Sequence, residues 1–161
     1  MVDLTPRAPA DSFTTMTEIV YPTHANALGT VFGGQVLAWM DICGAICAQR
    51  HCRSVMVTAG VDELSFENPI HVGQVVCVEA RMNAAFHKSV EVEVIVRGEH
   101  PLTRASWPCV RAFVTFVALD ASGATIAVPP LLITNNEEKL RQDEAVWRRG
   151  ERLKRRVIKS V

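Results

Sequence analysis

The stretch Phe32-Gly33-Gly34-Gln35-Val36-Leu37-Ala38-Trp39-Met40-Asp41-Ile42-Cys43-Gly44-Ala45-Ile46-Cys47-Ala48 decides the architecture of this chain. It is apolar nearly all round, and a helix of that kind is expected to be buried. The pattern predicts a helix from about Gly34 to His51. Asp41 conflicts with this setting, because a buried carboxylate costs free energy unless it is paired, hydrogen-bonded, protonated or used. Two glycines open the helix, where exposed backbone N–H groups favour negative charge. A carboxylate and an anion-stabilising helix end on one element point to hydrolytic chemistry. The alternative is a core aspartate that caps a neighbouring loop.

A helix turns about 100° per residue, which divides this one into two faces. Val36, Trp39, Met40, Cys43, Ile46 and Cys47 gather on the bulky side, expected to pack on a sheet. Leu37, Asp41, Gly44, Ala45 and Ala48 gather on the other, where small neighbours leave room for a second backbone or a slender ligand. Asp41 stands roughly 10 Å along the axis from Gly34 at about 1.5 Å per residue. A general base works at about 3 Å or through one water. Asp41 therefore serves a group held at a helix N-terminus most readily if that helix belongs to a second copy. The expectation is an active site shared between subunits.

Outward from the helix, the chain reads as strands. Phe13 to Tyr21 precedes it, ended by Pro22, and residues 22–33 form a glycine-containing loop. After it come Val55 to Phe66, Val75 to Asn83, Lys88 to Arg97 and Cys109 to Leu119. Val76, Val78, Ala80 and Met82 share one face, as do Val90, Val92, Val94 and Val96, with Glu91 and Glu93 opposite. The stretch from His100 to Pro108 leaves the neighbouring strand boundaries open. Asn135 or Asn136 can cap a last helix with Glu137 and Glu138 in its first turn. Consecutive strands beside one long helix predict an α+β layer, an antiparallel sheet wrapped against that helix. The expected organisation is a loose tail over residues 1–12, a domain over 13–134 and a charged helix and tail over 135–161.

The 161 residues carry a formal net charge of zero, which does not indicate a general nucleic-acid role. Gln35, Asp41 and Gln49 argue against a membrane span, and Met1 to Arg7 holds no apolar signal segment. The five cysteines, Cys43, Cys47, Cys52, Cys77 and Cys109, follow no disulfide framework and fit a reducing cytoplasm. Cys43, Cys47 and His51 stand at i, i+4, i+8, yet on the core-packing face, so core packing is expected and no metal site. The last 14 residues hold seven basic side chains, from Arg148 to Lys159. They read as a solvated helix end or as a cradle for a phosphorylated ligand. His24 reads as a second acid/base group or as a loop histidine. No G-x-S-x-G occurs, and no Gly-Lys-Ser/Thr follows the glycines, so neither a serine-triad hydrolase nor a P-loop is indicated.

The run Pro22-Thr23-His24-Ala25-Asn26-Ala27-Leu28-Gly29-Thr30-Val31-Phe32-Gly33-Gly34, followed by Met40-Asp41, resembles the hotdog-fold broad-specificity acyl-CoA thioesterases. Thr58 to Asp62, Phe66-Glu67-Asn68-Pro69, Val72-Gly73, His87 to Val92 and Val128-Pro129-Pro130 extend the likeness over roughly residues 15–155. The resemblance implies a hotdog fold that pairs sheet to sheet, homodimers with shared active sites, and trimers of dimers. It implies hydrolysis of acyl-CoA thioesters to fatty acid and CoA, in the cytoplasm, with no cofactor, since coenzyme A is part of the substrate. Carried over, Asn26 and Asp41 look like the catalytic pair and Gly33 and Gly34 like the oxyanion site. Asp41 acts as general base or as direct nucleophile, and Asn26 orients the water or the carbonyl. Lys88, Ser89, Thr58 and Val61 stand where substrate or CoA would be met. Where many relatives carry an acidic residue, this chain has His24. Two other readings fit the same scaffold: a non-enzymatic acyl-CoA sensor and a hydroxyacyl-thioester dehydratase.

Overall fold

Val90, Val92, Val94 and Val96 alternate at the centre of one sheet, and all four are buried on the same face. The computed structural model describes residues 3–62 and 64–159. Five strands form the sheet: β1 (Thr14–Ile19), β2 (Val55–Val61), β3 (Val75–Ala85), β4 (Ser89–Glu99) and β5 (Ser106–Leu119). Their order is β1-β3-β4-β5-β2, and every pairing is antiparallel. Helix α1 (Gly33–Cys52) packs on one face, and helix α2 (Asn136–Lys159) packs against the sheet further along the chain. The expected α+β layer, a curled antiparallel sheet with a long helix and a C-terminal helix, is what the chain forms.

The core lies between α1 and the sheet. Val36, Trp39, Met40, Cys43 and Cys47 meet the inward residues of β3, β4 and β5. Burial pushes the Cys43 thiol up to about 11 and the Cys47 thiol up to about 12, so both stay neutral core groups. Gly44 and Ala48 also lie on this buried side, contrary to their expected place beside Asp41. The reason is close packing: a Cβ on Gly44 would sit 3.1 Å from the Phe116 ring. The opposite side of α1 is open. Gly34, Leu37, Ala38, Asp41 and Ile42 are exposed, so the helix is half-buried in one protomer and not enclosed all round.

Three further expectations change. The strand starting at Val55 ends at Val61, short of Phe66. Asp62 makes the last rung, its N–H donating to Phe113 O at 3.0 Å, and the chain then bends away. Strand β5 starts earlier than Cys109, at Ser106. It accommodates Pro108 through a register shift opposite Val96 and Arg97, where a missing N–H is tolerated. Residues 7–12 are docked, not loose. Pro9–Ser12 forms a 3₁₀ turn, and the Arg7 backbone bonds to Pro130 and Leu132. The Arg7 guanidinium donates to the carbonyl of His51, near the end of α1.

Asn135 caps α2, accepting the Glu138 N–H at 2.9 Å while the Glu138 carboxylate accepts the Thr134 N–H at 2.8 Å. From there the helix runs over Glu91 and Glu93, which are 0% and 2% exposed. Arg148 binds Glu91 at 2.7 Å, and Arg141 and Arg111 both bind Glu93. The valine face of β4 thus meets α1 and its glutamate face meets arginines.

Candidate active site

The loop before α1 is built by Asn26. Its Oδ1 accepts the Leu28 N–H at 2.9 Å and the Thr30 N–H at 3.3 Å, and its Nδ2 lies 2.8 Å from Thr30 Oγ1. Gly29 closes the turn at φ +73°, a conformation that disfavours a side chain. His24 packs edge-on against Trp39, with ring centroids 5.2 Å apart, and its Nδ1 accepts the Tyr21 N–H at 3.3 Å. These contacts are those of a loop histidine.

This loop delivers the chain to the N-terminus of α1 without a side-chain cap. Gln35 and Val36 donate to Phe32 O, whereas no backbone acceptor among the described residues takes the Gly33 or Gly34 N–H. Unpaired N–H groups at the positive end of a helix suit an oxyanion. A Cβ on Gly34 would sit 2.7 Å from the Phe32 ring, so glycine permits the ring to lie over this end. Gly33 borders a hollow of about 370 Å³ shared with Thr30, Val36, Phe66 and Ile70.

Two turns along the same helix, Asp41 faces a second groove of about 470 Å³. Leu37, Met40, Val61, Leu64 and Val114 line it with apolar surface, and Thr58 and Asp62 are its other polar members. The Thr58 hydroxyl donates to Asp41 Oδ1 at 2.5 Å, across from edge strand β2. Asp41 is exposed in the single chain. An exposed carboxylate with one oxygen held by a hydroxyl and a groove beside it can take a proton from water.

Asp41, Thr58 and Val61 therefore share one groove, whereas Lys88 and Ser89, which the sequence reading placed with Thr58 and Val61, do not line it. Asn26, Gly33 and Gly34 belong to the other end of the helix within a protomer. Lys88 donates to Thr125 Oγ1 at 3.1 Å. Ser89 borders a narrow hollow of about 150 Å³ with Gly60, Arg149 and Arg152. Leu64 and Val114 were not singled out from sequence, and Asp62 entered only as the end of the Thr58 to Asp62 likeness, without a role. Leu64 and Asp62 follow β2 without periodic signal, and Val114 reads locally as one more inward residue of its strand.

The thioesterase superfamily model matches residues 28–105. An uncharacterized acyl-CoA thioester hydrolase of Bacillus subtilis is 36% identical over 140 residues, covering 87% of this chain and 81% of that one. An acyl-CoA hydrolase from Staphylococcus aureus, solved with butyryl coenzyme A, coenzyme A and coenzyme A disulfide, is 30% identical. It superposes with a TM-score of 0.87 over 96% of this chain and 95% of its own. The same enzyme has been solved as alanine variants of an aspartate, an asparagine and a threonine. An apo hexameric acyl-CoA thioesterase is 34% identical, with a TM-score of 0.88 over 93% of this chain and 97% of that one. Longer mammalian relatives also match, and the chain spans 23% to 38% of their length. A hotdog sheet, a glycine-opened central helix and near full-length likeness agree: the chain belongs to the acyl-CoA thioester hydrolases of the thioesterase superfamily.

Proposed function

We propose that this protein hydrolyses acyl-CoA thioesters to a free carboxylic acid and CoA, in active sites that two copies of the chain complete together. The observation that carries the reading is Asp41, anchored by Thr58 and open on an uncovered side of α1. Leu37 and Ile42 flank it, and the neighbouring edge strand β2 leaves Val55, Val57 and Val61 exposed. An uncovered apolar stripe beside an unpaired strand edge is the surface a second copy would bury.

In that arrangement the helix N-terminus of the partner lies opposite Asp41. Its Gly33 and Gly34 N–H groups hold the thioester oxygen as it gains charge, and one such donor is worth about 3–4 kcal/mol of barrier. Asp41 removes a proton from the attacking water while the Thr58 hydroxyl fixes its orientation. Direct attack by Asp41 would instead form a mixed anhydride that water then opens. Asn26 orients the water or the carbonyl. The acyl chain lies along Leu37, Met40, Val61 and Leu64, and the tetrahedral intermediate collapses with release of the CoA thiolate. Lys88, Ser89 and Arg149 face the CoA phosphates. Oligomers beyond the dimer, here a trimer of dimers, accord with the hexameric relative. The five free cysteines fit a cytoplasmic setting, and among the described residues no helix is long and apolar enough to cross a membrane.

Asp41→Ala and Asn26→Ala, assayed for thiol release from acyl-CoAs of rising chain length, test the assignment. Asp41→Ala is expected to fold normally with kcat lowered at least ~100-fold, the loss of a general base. In a mixed dimer of the two variants, one site carries both defects and the other carries neither, so activity returns. Near-normal turnover by Asp41→Ala rejects its role, and mixed dimers without recovery reject the shared site.

A further inference from the structure

Asp62 is a second carboxylate in the groove of Asp41, and among the described residues lining that groove it is the only other charged one. It follows β2 directly, at a sheet edge where Met56 is the single buried residue of the strand. Its carboxylate accepts a hydrogen bond from Arg152 at 2.7 Å, with both side chains about one quarter exposed. The same Arg152 nitrogen lies 3.2 Å from Glu91, which is 0% exposed and also takes two hydrogen bonds from Arg148. Arg152 is thus held from below by a buried charge and reaches over the sheet edge to the rim of the groove. Arg148, Glu151 and Arg155 are the remaining charged groups around Asp62 on that side.

We infer that Arg152 is a positioning residue for hydrolysis: it acts through Asp62, cancelling that carboxylate's charge so that Asp41 faces water and a developing oxyanion without a second anion in its groove. The inference rests on the proposed role of Asp41. Once a second copy covers the groove, two uncompensated carboxylates in it oppose each other's ionisation, and each opposes negative charge developing on substrate. The ion pair also fixes the end of β2 that carries Val61 beside the acyl path. A helix residue 90 positions from Asp62 in sequence, among charges that read as a solvated end or a phosphate cradle, thereby sets the electrostatics of the catalytic groove.

The test is the pH profile of kcat/KM for four variants. Arg152→Gln exposes the Asp62 charge, so the acidic limb should move up by ~0.5–1 pH unit, with kcat at neutral pH lowered. Asp62→Asn removes the second anion from the groove, leaves Arg152 paired with Glu91 alone, and should move the limb the opposite way. In the double variant Asp62→Asn/Arg152→Gln the limb should return toward the wild-type position, and Arg152→Lys should shift it least. A limb that stays in place in both single variants overturns the inference, as does a double variant no better than Arg152→Gln. If Arg152→Gln does not fold, the Asp62→Asn shift decides alone. Asp41→Ala measured alongside separates the two ideas. Normal turnover there removes the proposed base, whereas an inactive Asp41→Ala beside an unmoved limb removes only Arg152.

Discussion

Helices α1 and α2 cover opposite faces of the same sheet by opposite means. Against α1 the strands present Val78, Ala80, Val92, Val94 and Phe116, and the helix answers with Trp39, Met40, Cys43, Gly44 and Cys47. Against α2 they present Glu91, Glu93 and Phe113, and the helix answers with Arg141, Arg148 and Arg152. Arg148 stacks on the Phe113 ring at 3.6 Å while its nitrogens bind Glu91. The apolar interface needs no partner chosen by charge, and the single carboxylate of α1 lies on the helix's exposed side. The ionic interface spends its charges inward. Of the basic groups first grouped as a phosphate cradle, Arg148 and Arg152 are already neutralised by the sheet.

The largest effect should come from breaking the ionic side. Glu91→Ala takes the buried partner from Arg148, while Arg152 keeps Asp62, and removal of one partner of a buried pair costs about 3–5 kcal/mol. Chemical denaturation should show that loss as a lower midpoint. The double variant Glu91→Met/Arg148→Leu sharpens the comparison, because replacing both charges by packed apolar groups is close to neutral. Equal losses in the single and double variants would mean that the glutamate contributes by shape and not by charge.

On the apolar side the corresponding change is smaller. Gly44→Val drives methyl groups into the Phe116 ring and Val94, whose nearest atoms stand 3.1 and 3.3 Å from the position of a Cβ. Overpacking of this kind costs about 1–3 kcal/mol. A midpoint equal to wild type would show that α1 has slack along this face. Activity should fall with it, since the same turn of helix carries Asp41 toward Thr58.

These interfaces were legible to different degrees, and the reason is sequence distance. The valines of β4 declare their face within a few residues, because side chains alternate along a strand. The helix over Gly33–Cys52 is likewise a local pattern, so Asp41 and Gly33 stood out before any fold was known, whereas Asn26 gained its role only through the family resemblance. Thr58 donates to Asp41 across 17 positions, Arg148 reaches Glu91 across 57 and Arg152 reaches Asp62 across 90. No periodicity reports such pairs. Glu91 and Glu93 look like any solvent-facing alternation until α2 lies over them. The exposed stripe of α1 is a related case, expected from sequence to lie against a second copy. Its apolar character is real, but nothing within the single chain covers it.

The smallest predicted effect lies where α1 ends. His51 is 1% exposed, with Nε2 on the Pro129 carbonyl at 2.9 Å and Nδ1 unpaired among the described residues. Burial holds its pKa below the ordinary 6.5, against the Pro129 hydrogen bond, and the neighbouring Arg7 charge pushes the same way. The unfolded chain therefore binds a proton at a higher pH than the folded one. The sign follows: stability is complete above 6.5 and falls as pH drops from there through the folded value, because unfolding takes up a proton in that window. His51→Gln keeps a donor for Pro129 and cannot titrate. Melting temperatures compared between about pH 7.5 and about pH 5 should therefore fall less in His51→Gln than in wild type. Parallel curves would mean that His51 does not carry the acid sensitivity.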